Sequence, residues 1–211
     1  MSRYVGPSCR LCRREGVKLF LKGTKCLTEK CPVERRAYAP GQHGQSGGRQ
    51  RKASEYAKQM REKQKVKRMY GLTERQFRNT FDGVTREPGV KGTNLLIALE
   101  TRLDNIVYRM GFASSRKAAR QLVVHGHVEV NGGRVDIPAY RVVPGEEVRV
   151  APGSRENVSV KVAQEGASRG QPVSWISVDA DKAAGRVLER PTREAIPINA
   201  QEQLIVELYS K

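Results

Sequence analysis

The stretch that decides the fold is Arg102–Val150, RLDNIVYRMGFASSRKAARQLVVHGHVEVNGGRVDIPAYRVVPGEEVRV. Its first eight residues read as the back half of a helix that begins near Leu95. Leu95, Leu96, Leu99, Leu103, Ile106, Val107 and Met110 keep helical spacing up to Gly111. Ser114-Ser115 offers an N-cap for a second helix. On that helix Ala118, Ala119, Leu122 and Val123 fall on one arc, and Arg116, Lys117 and Arg120 on the other. The helix stops at His125-Gly126. Val128-Glu129-Val130 then alternates as a strand, Asn131-Gly132-Gly133 is a hairpin turn, and Arg134–Ile137 returns. A short cationic helix leading into a tight hairpin can lie across a phosphate backbone. The three cations are expected to point outward and to hold phosphate rather than read bases, so that Arg120 contributes affinity and little stability.

Charge identifies the partner class. The 211-residue chain carries a net +17, and the excess is uneven. Residues 1–78 hold 21 Lys/Arg against 6 Asp/Glu, a net +15, and the remainder holds 18 against 16. The first third is therefore an electrostatic footprint for a polyanion. A membrane surface is also anionic, but the sequence has neither a long apolar run nor a basic helix with a clean aromatic and Leu face. No apolar segment of signal-peptide type follows Met1.

Residues 1–45 contain too little apolar surface to close a core alone. Cys9-x2-Cys12 and Cys26-x4-Cys31 form two knuckles in this segment. Four thiolates can enclose a tetrahedral zinc, and a closed site of that kind supplies folding energy that a missing core cannot. An iron–sulfur cluster uses the same ligand set and stays open as an alternative. Arg3, Arg10, Arg13, Arg14, Lys18, Lys22, Lys25, Arg35 and Arg36 lie around the knuckles. On a loop fixed by metal, such cations reach phosphates with less entropy to lose.

Pro40-Gly41-Gln42-His43-Gly44-Gln45 is a loop, followed by a Gly-containing linker with Arg49, Arg51 and Lys52. Ser54 caps a helix to about Tyr70, ended by Gly71. Its Lys58, Arg61, Lys63, Lys65, Lys67 and Arg68 meet only Glu55 and Glu62 on the same helix, which favours phosphate contact. Thr73-x-x-Gln76 is a capping box, and Leu72 can staple onto Phe77. Residues 154–164 suggest a short helix, and 173–178 and 186–188 suggest strands. Near the end Asn199 with Glu202 resembles a capping box. The run LIVELY suits helix by its apolar face and strand by propensity.

Together these strings resemble a known family. RLDNIVYRMGF, SSRKAARQLV and HGHVEVNGG closely resemble the RNA-binding module named after protein four of the small ribosomal subunit. That module also occurs on RNA-modifying enzymes. The flanks extend the likeness nearly end to end, to bacterial-type ribosomal protein four in its zinc-binding cysteine form: the four cysteines, PGQHGQ at 40–45, EKQK at 62–65, ERQF at 74–77 and EQLIVELYSK at 202–211. The resemblance implies an α+β fold with three parts. These are a four-cysteine metal lobe at 1–45, a helical domain at 46–98 completed by 189–211, and an inserted module at 99–188 whose helices pack on a small antiparallel sheet. It implies a helical tail, and an RNA-facing loop in which His43 is a donor or acceptor. His125 and Arg134 complete the expected RNA-binding set.

The function implied is that of a structural constituent of the small ribosomal subunit, in the cytoplasm. It would bind 16S rRNA at a helix junction of the 5′ domain, nucleate assembly and influence translational accuracy. Partners implied are the fifth small-subunit protein and mRNA where it enters the ribosome, with no membrane and no small-molecule substrate. The sequence shows no HExxH, Walker loop or GxGxxG after a strand, so no catalytic residue is expected. Two other readings stand beside this one: an RNA-modifying enzyme carrying the same module, and a zinc-dependent DNA-binding regulator.

Overall fold

Nine helices and a five-stranded antiparallel sheet are present among the described residues of a computed structural model, which describes residues 3–45, 53–167 and 173–210. The first helices are α1 (Ser8–Glu15), α2 (Pro32–Arg35), α3 (Glu55–Met69), α4 (Glu74–Val84) and α5 (Lys91–Glu100). Then come α6 (Leu103–Arg109), α7 (Arg116–Val124), β1 (Val128–Val130), β2 (Gly133–Arg134) and β3 (Glu147–Val150). The chain finishes with α8 (Val158–Ala167), β4 (Ile176–Asp179), β5 (Ala184–Val187) and α9 (Glu202–Tyr209). It divides into two compact units, residues 1–92 with 199–211, and residues 93–198. No helix among the described residues is long and apolar enough to cross a membrane.

In the first unit, local chemistry sets the helix starts. The Ser54 hydroxyl accepts from the Ala57 amide, and Thr73 and Gln76 form the full capping box. Val66, Leu72, Phe77, Phe81 and Val84 are buried. The tail is helix, packed on α3, with the Phe81 and Tyr209 rings stacked at 4.6 Å. The expected Asn199–Glu202 cap does not form. Gln201 stands at the cap position, and its amide donates to the Glu62 carboxylate of α3 at 2.9 Å. A tertiary acceptor has replaced the local one. The first 45 residues build a small cluster of Cys12, Leu19 and Leu21, with Leu11, Val33 and Met69 against it.

In the second unit the sheet order is β2-β1-β3-β5-β4, all antiparallel. Asn131 and Gly132 both take positive φ, 49° and 83°, as a two-residue hairpin turn requires. Gly133 already pairs with Val130, so the turn is one residue shorter than expected, and the return strand is only Gly133–Arg134. Val128, Val130, Val148 and Val150 alternate onto one buried face. That face joins Leu103, Ile106, Val107, Ala119, Leu122, Val123, Val187 and the fully buried Trp175 in one core.

The single helix expected up to Gly111 is two. Arg102 is extended (ψ 139°) and bridges Arg141, while the Leu103 amide donates to the Tyr140 carbonyl at 2.8 Å. The segment around Tyr140 and Arg141 has taken the backbone bonds that a continuous helix would use. The expected helix at 154–164 lies later, as α8, and the two distal strands sit at 176–179 and 184–187.

Glu74 ties the first unit together. It accepts from Lys63 at 2.6 Å, Lys67 at 2.7 Å and the Tyr209 hydroxyl at 3.0 Å. Burial alone would push its carboxyl up, but these three hydrogen bonds outweigh it and hold the pKa at about 2, below the usual 4.5. A depressed carboxylate stabilises the fold above its unfolded pKa. The contribution fades as pH falls from 4.5 through 2. Glu74→Gln should therefore lower the melting temperature at pH 7, and the deficit against wild type should shrink as pH falls through that window. A deficit that does not change with pH would contradict the assignment.

Candidate nucleic-acid interface

The N-terminal lobe is assembled around its four cysteines. Cys9 and Cys12 stand one turn apart on α1, Cys26 lies in a 3-10 turn at Gly23–Leu27, and Cys31 precedes α2. None of the four forms a disulfide; Cys12, Cys26 and Cys31 are buried and Cys9 is half-buried. Burial pushes the Cys12 thiol up. A hydrogen bond from the Leu19 backbone opposes this, and the nearby Cys26, Cys9 and Cys31 add to it. The Lys22 amide donates to Cys26 Sγ at 3.4 Å. Four associated thiols with backbone donors on two sulfurs suit a metal chemically. Among the described residues, however, no three His, Cys, Asp or Glu side chains close to coordination geometry.

Beside Cys9 opens a cleft of about 320 Å³ lined by Arg10, Arg13, Lys25, Lys30, Arg35 and Arg36, with no carboxylate in its wall. The Arg13 guanidinium lies 4.7 Å over the Tyr38 ring and its Nε donates to the Tyr38 carbonyl, so its direction is fixed. Arg10, Lys25, Lys30, Arg35 and Arg36 are exposed and form no ion pair among the described residues. A concave, uncompensated cationic wall of this kind holds phosphate oxygens well. Lys25 is among the cations expected around the knuckles, whereas Lys30 was missed; its signal was the position next to Cys31.

Elsewhere in the lobe Arg3, Arg14 and Lys22 are exposed, and Lys18 pairs with Glu34. His43 is exposed on its loop. A Cβ on Gly44 would meet the Ala39 carbonyl oxygen at 1.7 Å, so glycine alone permits that turn. Arg49, Arg51 and Lys52 lie outside the described residues.

The cations of α3 are differently placed from the expectation. The acids that compensate them come from other elements as well as from α3. Arg61 and Arg68 both reach Glu15 of α1, and Lys63 and Lys67 reach Glu74. Lys58 pairs with Glu55 at 2.6 Å and Lys65 with Glu62 at 3.0 Å. Lys63 is buried. Burial pushes the Glu15 carboxyl up while Arg68 and Arg61 pull it down. Helix α3 is thus a strut held by ion pairs before it is anything else.

On α7 the outward-facing expectation is corrected for Arg116 and Arg120. Arg120 is buried, with Nη1 3.6 Å from Asp104 of α6, which also takes a two-pronged contact from Arg102 at 3.0 and 2.9 Å. Arg116 lies 4.6 Å over the Tyr108 ring and donates to Asn105 at 2.7 Å. Beneath it the fully buried Glu100 receives Arg109 at 2.9 and 2.7 Å and Asn105 at 2.8 Å. These arginines turn inward because α5 and α6 supply acids, Glu100 and Asp104, that the α7 sequence lacks. Lys117 is half-buried, and His125 and Arg134 are exposed. Arg134 crosses so close to Gly126 that a Cβ there would meet its guanidinium at 2.0 Å.

A family profile described as "Ribosomal protein S4/S9 N-terminal domain" matches residues 3–100, and one described as "S4 domain" matches residues 101–148. The "Small ribosomal subunit protein uS4" of Thermus thermophilus is 53% identical over 212 residues, covering all of both chains. The chain belongs to the uS4 family. The Pelotomaculum thermopropionicum and Syntrophomonas wolfei members are 53% and 55% identical over 211 residues, again covering all of both chains. Proteins of this family are structural and bind RNA, and this chain is not an enzyme.

The burial of Arg120 reverses its expected phenotype. Arg120→Ala should destabilise the protein by about 2 kcal/mol, the scale for losing a buried charged contact. An exposed arginine would instead leave thermal unfolding unchanged.

Proposed function

We propose that this protein is a structural component of the cytoplasmic small ribosomal subunit, and that it binds small-subunit rRNA directly by clamping converging strands. The cleft walled by six cations and no carboxylate carries this reading, and full-length identity to uS4 proteins supports it. Phosphate binding at the cleft is electrostatic and does not read sequence. The second unit contributes shape: a rigid helix-and-hairpin face with Lys117, His125 and Arg134 at its surface. Two units on one chain raise each other's effective concentration at adjoining RNA sites. From the family likeness we also assign binding at a helix junction of the 5′ domain of 16S rRNA, early in assembly. The same likeness supplies an influence on decoding accuracy, and contacts with the fifth small-subunit protein and with mRNA where it enters the ribosome. In competition binding, structured small-subunit rRNA should displace the protein from duplex DNA. Equal affinity for both would favour a DNA-binding regulator.

Within this reading Cys9, Cys12, Cys26 and Cys31 hold one zinc, whose role is to fix the lobe that carries the cleft. Lys22 and Leu19 orient two of the sulfurs through their amides. Elemental analysis of native protein should find one zinc per chain. Iron, with visible absorption, would assign a cluster instead, and neither metal would remove the proposal. Cys26→Ser should release the metal and lower the thermal stability of the first unit.

A further inference from the structure

We infer that Phe20 is a stacking platform for an unpaired RNA base, an inference that rests on the reading of the N-terminal lobe as RNA-binding. Phe20 has φ 50°, in the left-handed region, and it is the one bulky side chain at positive φ among the described residues; the other non-glycine cases are Asn131 and Ala183. A bulky aromatic is strained there, and glycine would make the same turn without that strain. The turn itself has a clear cause. Leu19 and Leu21 on either side are buried in the small cluster with Cys12, while backbone groups of Leu19 and Lys22 donate to the Cys12 and Cys26 sulfurs. The backbone at position 20 is thus pinned from both directions whatever residue stands there. What needs a cause is the ring, which is 42% exposed. Strain of this kind, held by a rigid surrounding, is a marker of a functional position.

Charge selects the occupant. In sequence Phe20 is flanked by Lys18 and Lys22, in a lobe whose cations exceed its acids; Lys18 pairs with Glu34, and Lys22 is exposed with no ion pair among the described residues. A strand whose phosphates engage these cations brings its bases to the same surface. An unpaired base offers a π face to an aromatic ring, and such stacking tolerates any base identity. The requirement is for a base outside a duplex, as at a junction or bulge. A hydrophobic protein segment would gain from the ring but would leave the exposed Lys22 unmatched.

The test uses the full chain and a bacterial small-subunit rRNA transcript, with three variants. Phe20→Leu keeps apolar surface but removes the π face, and should lose about 5- to 150-fold in affinity. Its salt dependence should stay that of wild type, because no charge changes. Phe20→Gly should lose affinity to the same degree while its melting temperature holds or rises, since the backbone strain is relieved. Phe20→Trp should bind like wild type, and its added indole emission should be quenched by RNA; Trp175 is fully buried in the second unit and supplies a constant background. Wild-type affinity in both the Leu and Gly variants, with no quenching in Phe20→Trp, would overturn the stacking role and leave the ring to a protein surface. A melting temperature that falls in parallel in the Leu and Gly variants would assign the ring to packing, and would overturn it too. Failure of the wild-type chain to bind rRNA would instead overturn the functional reading beneath it.

Discussion

Four carboxylates decide which cations of this protein can reach another molecule. The chain has 39 Lys and Arg against 22 Asp and Glu, so acids are the scarce partner. Glu15, Glu74, Glu100 and Asp104 each hold at least two cationic side chains. Three of the four sit at 6% side-chain exposure or less, where a charge left without a partner is strongly unfavourable. Each therefore recruits arginines or lysines inward and turns them into structure. Glu15 fastens α1 to α3, and Glu74 fastens α3 to α4 and α9. Glu100 of α5 and Asp104 of α6 fasten α7 onto those two helices.

What remains outside that network defines the surface. The knuckle segment carries Glu15, Glu29 and Glu34, but the first is committed to α3 and the last to Lys18. The cleft beside Cys9 is consequently cationic on every charged side. Its position beside the thiols links the two halves of the account. A metal on the four cysteines would supply order that the three-residue cluster of Cys12, Leu19 and Leu21 cannot supply by size alone. Ordered cations bind a fixed array of phosphates at lower entropic cost than mobile ones.

The parts of the fold governed by local chemistry were legible in the sequence. Ser54, Thr73 with Gln76, and Ser115 start helices because each side chain bonds an amide three residues on. Asn131-Gly132 turns the hairpin because both residues accept positive φ. The misread features all depend on distant partners. Arg120 looked exposed because α7 contains no acid, and Asp104 lies on another helix. Four of the six cations of α3, Arg61, Lys63, Lys67 and Arg68, looked open because their acids, Glu15 and Glu74, lie on other helices. The helix break at Thr101-Arg102 comes from the segment around Tyr140, and the Asn199 cap is lost to Glu62. Lys30 fell outside the expected set because charge counting weighs all basic residues alike until burial and pairing separate them.

In the proposed function the open cations of the N-terminal cleft, and not the paired cations of α3, neutralise RNA phosphates. Salt dependence of rRNA binding measures this directly, since each phosphate contact contributes a slope of about −0.7 to −0.9 in log K against log salt. Two triple variants should be compared with wild type: Arg10, Lys25 and Lys30 changed to Gln, and Lys58, Lys65 and Lys67 changed to Gln. The cleft variant should lose about two to three units of slope, while the α3 variant should keep the wild-type slope. A cleft variant with an unchanged slope, or an α3 variant that loses as much, would contradict this assignment.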